Sequence, residues 1–145
     1  MPNWKKIGCA VDFSETSRAA MEEAADLAAR SEAEMLLIHA FEVPGAPADL
    51  PPPPDSLKAT RAELEKKLAG WGAEAARRSG RGVVTAVVDG PAADEVARCA
   101  RERGADLLVV GTHGRRGLRH LVVGSVAERL VRVAHCPVLV IRGRA

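Results

Sequence analysis

Tyrosine is absent from this chain, and two phenylalanines and two tryptophans bring the aromatic share to only 3%. Proteins that hold single-stranded nucleic acid stack its bases on exposed rings, so a chain this poor in rings is not built as such a platform. An excess of one charge is lacking as well. The 21 Lys+Arg stand against 19 Asp+Glu, a formal net charge of +2, far from the basic surplus of a general DNA binder. Cys9, Cys99 and Cys136 are odd in number, widely spaced and never in a C-x-x-C pair. Neither a disulfide framework nor a zinc ribbon follows from them, and a reducing cytoplasm is the expected compartment. Long apolar runs are missing too. The first six residues carry two lysines ahead of an apolar run over only 7–11, where a signal peptide needs about 7–15 apolar residues and a membrane span about 20. A cytoplasmic chain with no membrane partner is expected.

What is present is an ordinary globular composition, 47% apolar and 28% charged over 145 residues. That length suits one domain, because a chain of about 150 residues buries roughly 70% of its unfolded surface. Short β-branched runs at 7–11, 35–40, 83–88, 107–110 and 138–141 alternate with helix-length stretches at 15–31, 56–79, 92–102 and 125–134. In the second of these stretches Leu64, Leu68, Trp71 and Ala75 form one apolar stripe of helical period. In the first, Ala20, Ala24, Leu27 and Ser31 repeat the spacing with mostly small residues, so that helix can approach its neighbour closely. Gly90-Pro91 reads as a helix start, proline being tolerated at the first helical position. Strands alternating with helices imply parallel β-α-β units. The expectation is an α/β protein: one doubly wound five-stranded parallel sheet with four helices. The runs 83–88 and 107–110 read as strands buried on both faces.

Residues 44–55, PGAPADLPPPPD, hold six of the nine prolines. Proline fixes φ and removes a donor, so this segment is expected to be neither helix nor central strand but a polyproline-like surface loop. It reads as a stiff connector, or as a docking segment or lid.

The stretch 107–130, LLVVGTHGRRGLRHLVVGSVAERL, is the informative one. A buried strand delivers Gly111 to the carboxyl edge of the sheet, where open α/β folds bind ligands. Gly114, Gly117 and then Gly124-Ser125 follow, the last pair opening a helix. Glycines permit positive φ and let backbone N–H groups approach an anion, and a helix start adds unpaired donors with about half a positive charge. Between Gly111 and Gly124 lie Arg115, Arg116, Arg119, His113 and His120, and no acid. Phosphate cradling fits this pattern, with the two histidines as further donors. A solvated basic loop, or nucleic-acid contact through the arginines without a supporting basic helix face, are the alternatives. Asp12, just past the first strand, is open to two readings: a ligand contact, or a cap on the following helix, with Asp12-x-x-Glu15 as a cap pair and Ser14 as a competing N-cap. His39 and His135 read as packing or surface residues, and Cys9 as an inert buried thiol.

The spacing G-x2-G-x9-G-S, met by Gly111, Gly114, Gly124 and Ser125, is neither a Walker A loop nor the dinucleotide fingerprint. At these residues the sequence resembles the universal stress protein family in its ATP-binding branch. The turn Val11-Asp12-Phe13-Ser14, the LLVVGTHG strand and the closing HCPVLV match that family too, and the resemblance spans the whole chain as a single domain. It implies a Rossmann-like sheet of order 3-2-1-4-5, of the adenine nucleotide alpha hydrolase-like kind, with ATP, AMP or ADP at its carboxyl edge. Gly111 would then lie against the ribose, and Gly114, Gly124, Ser125 and Val126 would hold phosphates, beside His113 and Arg115. Asp12 would meet the ribose or a phosphate-bound Mg2+, while Val11 and Ala40 would border the adenine.

No acidic partner to Asp12 for a two-metal site stands out in the sequence, and no H-R-D or D-F-G constellation does. The expectation is a nucleotide-dependent stress-response regulator rather than an enzyme, with slow ATP turnover or autophosphorylation at most. A dimeric interaction module that binds no nucleotide is the alternative from a different class. Residues 138–141 are short, apolar and close to the C-terminus. They read as an edge strand that invites a second copy, and the resemblance implies antiparallel pairing of such edges across a two-fold axis. An unidentified protein partner would read the bound state.

Overall fold

The computed structural model describes residues 3–42, 54–112 and 124–142. Among these residues nine elements follow one another as β1 (Lys6–Ala10), α1 (Glu15–Ser31), β2 (Glu34–Phe41), α2 (Pro54–Ser79), β3 (Val83–Asp89), α3 (Ala92–Glu102), β4 (Leu107–Gly111), α4 (Ser125–Val133) and β5 (Val138–Ile141). The sheet is parallel throughout, in the order β3-β2-β1-β4-β5. The chain builds outward from β1 through β2 to β3, then returns through α3 to place β4 on the other side of β1. Strand order therefore reverses between β1 and β4.

Alternation along the strands gives each sheet face its own core. Ile7, Cys9, Met35, Leu37 and Val109 pack with α1 and α2. Leu36, Ile38, Leu108 and Val110 pack with Val96 of α3 and Leu130 of α4. Small residues bring α1 down onto the sheet: Ala20, Ala24, Ala25 and Ala28 are all fully buried. The buried stripe also takes in Ser17 and Met21, so it lies slightly to one side of the predicted Ala20, Ala24, Leu27 and Ser31, and the last two are only half-buried. On α2 the expected stripe holds, with Leu68 and Ala75 fully buried and Trp71 nearly so.

Three expectations need correction. Residues 44–55 were expected to contain no helix, yet Pro54 and Asp55 begin α2. A first-turn proline sacrifices no intrahelical hydrogen bond, so the rule that bars it from a helix interior does not apply there. Residues 43–53 lie outside the described residues. Pro91 is the N-cap of α3 rather than its first residue, and its carbonyl accepts from Glu95 N–H at 2.9 Å. The third correction concerns β3, which is an edge strand and not buried on both faces, with Val84 49% exposed. Its free rim is nonetheless covered. Arg61 of α2 donates to the Val87 carbonyl at 2.7 Å, pairs with Asp89 at 3.7 Å and lies over the Phe41 ring.

Candidate functional site

A cavity of about 260 Å3 opens at the carboxyl edge of the sheet, on the α3/α4 face beside the β1/β4 reversal. Open α/β sheets leave such a crevice where neighbouring strands send their connections to opposite sides. Its apolar wall comes from Ile38, Ala40, Ala92, Val96 and Val110, and its polar rim from Asp12, Ser17, Thr112 and Ser125. Of the residues singled out in the sequence, Val11, Asp12, Ala40, Gly111, Gly124, Ser125 and Val126 all line it. His113, Gly114 and Arg115 lie outside the described residues.

Each of these positions has a local cause. After Ala10 the chain leaves the sheet in a tight turn, with Phe13 in the left-handed region at φ 67°. Asp12 braces that turn, its Oδ1 accepting from Ser14 N–H at 2.9 Å. The helix cap is Ser14, whose hydroxyl accepts from Ser17 N–H at 3.2 Å. The two readings of Asp12 are thus separated: capping falls to Ser14, and Asp12 stays at the crevice. Ser17, buried, donates its hydroxyl hydrogen to the Ser14 carbonyl and accepts from Asp12 N–H.

Across the crevice, β4 and α4 are tied by a hydrogen bond from Gly124 N–H to the Thr112 carbonyl. Gly124 is the N-cap of α4 and has no side chain to bond the first turn. The first N–H groups of a helix have no intrahelical partners and no side-chain cap here among the described residues, so α4 turns these donors and its positive dipole end toward the cavity.

Positive φ is not what Gly111 and Gly124 provide. Gly124 sits at φ −57°, and Gly111 is not among the positive-φ glycines of the described residues, which are Gly80, Gly90 and Gly104. Gly111 is needed for close approach instead: a Cβ there would come within 2.7 Å of Thr16 Cγ2 and 3.1 Å of the Thr16 carbonyl oxygen. Its missing side chain makes room for the first turn of α1.

Backbone at the base of the crevice is exposed by unequal strand lengths. Val11 N–H donates to the Ile38 carbonyl at 2.9 Å, which fixes even-numbered β2 residues as those that face β1. Ala40 is the next of them, but β1 has already ended. Among the described residues, the Ala40 N–H and C=O have no ladder partner; they face the side on which β1 has ended, and Ala40 lines the cavity.

Residues that sequence reasoning did not single out include Ser17, Ile38, Ala92, Val96 and Thr112. Ala92 and Val96 carried a signal, an i, i+4 pair at the start of a helix that follows an edge strand. Ser17 carried none, since its place depends on the Asp12 turn. His39 and His135, read as packing or surface residues, both bond backbone carbonyls. His39 is buried, while His135 Nε2 donates to the Ala105 carbonyl at 2.9 Å. Cys9 is fully buried, and burial pushes its thiol up to about 12. Among the described residues no group of three or more His, Cys, Asp or Glu side chains could hold a metal, and no helix is long and apolar enough to cross a membrane.

Comparison with known proteins gives a consistent picture. A family model described as the universal stress protein family matches residues 3–142. A universal stress protein of Methanocaldococcus jannaschii is 35% identical over 144 residues, covering 96% of this chain and 82% of that one. A crystal structure of a universal stress protein family member from Burkholderia pseudomallei is 33% identical, with a TM-score of 0.73 and coverage of 97% and 98%. A family protein from Arabidopsis thaliana, solved with AMP bound, shares the fold at a TM-score of 0.66 and 22% identity, covering 97% of this chain and 93% of that one.

Proposed function

We propose, starting from the fact that this chain belongs to the universal stress protein family, that its crevice binds an adenine nucleotide, with ATP as the ligand best suited to it. The observation that carries the reading is one cavity with an apolar slot and paired backbone groups at one end and the uncapped start of α4 at the other. The slot between Ala40, Ile38 and Val96 suits a flat base, and adjacent N–H and C=O groups on Ala40 match the acceptor and donor on an adenine edge. A relative that holds AMP supports the same ligand class. The phosphates would lie at Gly124, Ser125 and Val126, with Gly111 beside the ribose. His113, Gly114 and Arg115 complete the phosphate end in this proposal.

Among the described residues, Asp12 is the sole carboxylate lining the crevice. That donor set fits Mg2+ carried in on the phosphates, because Mg2+ keeps most of its waters and takes one or two carboxylates. The ion would neutralise phosphate charge there. Charge-assisted hydrogen bonds from the helix start are each worth about 1.5–3 kcal/mol, enough to hold a nucleotide without catalytic machinery. The protein then acts as a cytoplasmic, nucleotide-dependent regulator. Two copies pair through β5, whose Val138 and Val140 backbone groups point away from β4: the ladder bonds run from Leu108 N–H to Pro137 and from Thr112 N–H to Ile141.

Titration calorimetry with Mg-ATP on wild type and on Gly124→Val tests the reading. The backbone at Gly124, φ −57° and ψ 153°, is open to valine, so the fold should survive while the side chain blocks phosphate. Wild type should bind and the variant should not; ATP affinity retained by Gly124→Val defeats the proposal.

A further inference from the structure

His39 sits on the opposite side of the sheet from the crevice, among the residues that pack under α1 and α2. Its Nδ1 lies 2.8 Å from the Val11 carbonyl oxygen, and since a carbonyl only accepts, Nδ1–H is the donor. In an uninterrupted parallel ladder that carbonyl would take its hydrogen bond from Ala40 N–H, two residues beyond Ile38. The imidazole occupies the acceptor instead.

The surroundings hold the ring there. The Phe13 ring lies against it, tilted by 37° with centroids 4.5 Å apart, and Trp71 meets Phe13 edge-on at 5.3 Å. Lys67 Nζ lies 4.6 Å from the Phe13 centroid, and the Arg18 guanidinium lies 4.4 Å from that of Trp71. Phe13 keeps a left-handed backbone that costs a bulky residue roughly 1 kcal/mol or more. Packing on this scale explains why the turn does not relax into extended strand and let β1 continue.

We infer that His39 is a positioning residue: by taking the Val11 carbonyl, it stops the β1–β2 ladder one bond early and leaves the Ala40 N–H directed into the crevice as a donor for the base. This inference rests on the nucleotide reading above for the identity of the ligand, but not for the ladder break itself. The imidazole touches no ligand and acts through Val11 and Ala40. Loss of the His39 donor lets Ala40 N–H turn back to Val11, closing the base end while the phosphate end at α4 is untouched.

Two measurements test it. Amide exchange by NMR on the ligand-free protein reads the ladder directly. In wild type the Ala40 amide should exchange at least about tenfold faster than those of His39 and Phe41, which the register with β3 engages. In His39→Leu it should slow by a similar factor. An Ala40 amide as protected in wild type as its two neighbours overturns the inference, and so does one unchanged by His39→Leu. Calorimetry then compares ATP with tripolyphosphate, which has no base. His39→Leu should lose about tenfold on ATP, the equivalent of one hydrogen bond, and nothing on tripolyphosphate. His39→Asn, which keeps a donor near the Nδ1 position, should restore ATP binding. Equal losses on both ligands overturn the positioning role, since that is the pattern of general loosening. Wild type that binds neither ligand removes the nucleotide reading, and the exchange result still decides whether His39 breaks the ladder.

Discussion

Replacing Gly111 by alanine puts one methyl group where the end of β4 meets the first turn of α1. The added Cβ would stand 2.7 Å from Thr16 Cγ2, 3.1 Å from the Thr16 carbonyl oxygen and 3.2 Å from its carbonyl carbon, against an ordinary carbon–carbon separation of about 3.5–4.0 Å. The methyl of Thr16 can swing away, but its carbonyl cannot move without the helix. That turn is held by the Ser14 cap and by the Ser17 hydroxyl on the Ser14 carbonyl. Overpacking of this kind costs about 1–3 kcal/mol, which in a domain of this size lowers Tm by roughly 2–12 °C. Equilibrium urea unfolding should show a lower midpoint at unchanged slope. Thr16→Ser removes the closest contact, so the double variant should recover part of the loss, with a coupling energy of about 0.5 kcal/mol or more. A Gly111→Ala protein with the wild-type midpoint, or a double variant with no coupling, would refute the packing account and leave ligand approach as the reason for glycine.

Cys9 ionises at an ordinary 9.0 when unfolded and only near 12 when buried. Its contribution is therefore intact below pH 9 and falls as pH rises toward 12, by up to about 1.4 kcal/mol per pH unit. Wild type should lose more stability between pH 8.5 and 10.5 in urea unfolding than Cys9→Ala, and equal losses contradict the assignment. Asp12→Ala should weaken Mg-ATP binding more than binding of ATP in EDTA, and calorimetry showing identical losses would confine Asp12 to bracing the turn through Ser14. Val140→Pro deletes an outward N–H of β5 while sparing the ladder to β4, a substitution an edge strand tolerates. It should yield monomers in sedimentation velocity, and an unchanged dimer would mean that the copies meet elsewhere.

Secondary structure was readable because strand and helix periods are cleanly separated here. Helix α1, helix α3 and strand β5 have the bounds that hydrophobic period and punctuation suggested. What failed were rules applied without position. Proline was read as excluding helix, though its cost depends on whether a hydrogen bond is lost, and at Pro54 none is. The apolar run over 83–88 was read as a strand buried on both faces, though β3 lies at the edge, with Val83 and Val87 packed against helix α2 and Val84 49% exposed on the other face. Gly72 of α2 shows how close that helix comes, since a Cβ there would meet Thr85 Cγ2 at 2.8 Å. At the crevice, residues at strand ends and at a helix start were legible because topology alone brings carboxyl ends together. Ala40 was read as a residue bordering the adenine. Its backbone donor escaped notice because no side-chain pattern reveals where a ladder stops, and the group that stops it, His39, lies on the far face of the sheet.

The guanidinium of Arg61 on the Val87 carbonyl guards the β3 rim against an added strand. A strand arriving at that rim must first displace a charged donor, a loss of about 1.5–3 kcal/mol, and push aside the side chain lying over Phe41. Copies that meet along β5 are left with two outer margins already closed in this way. If copies pair along β5 as proposed, any further side-by-side growth at the β3 rim carries that cost.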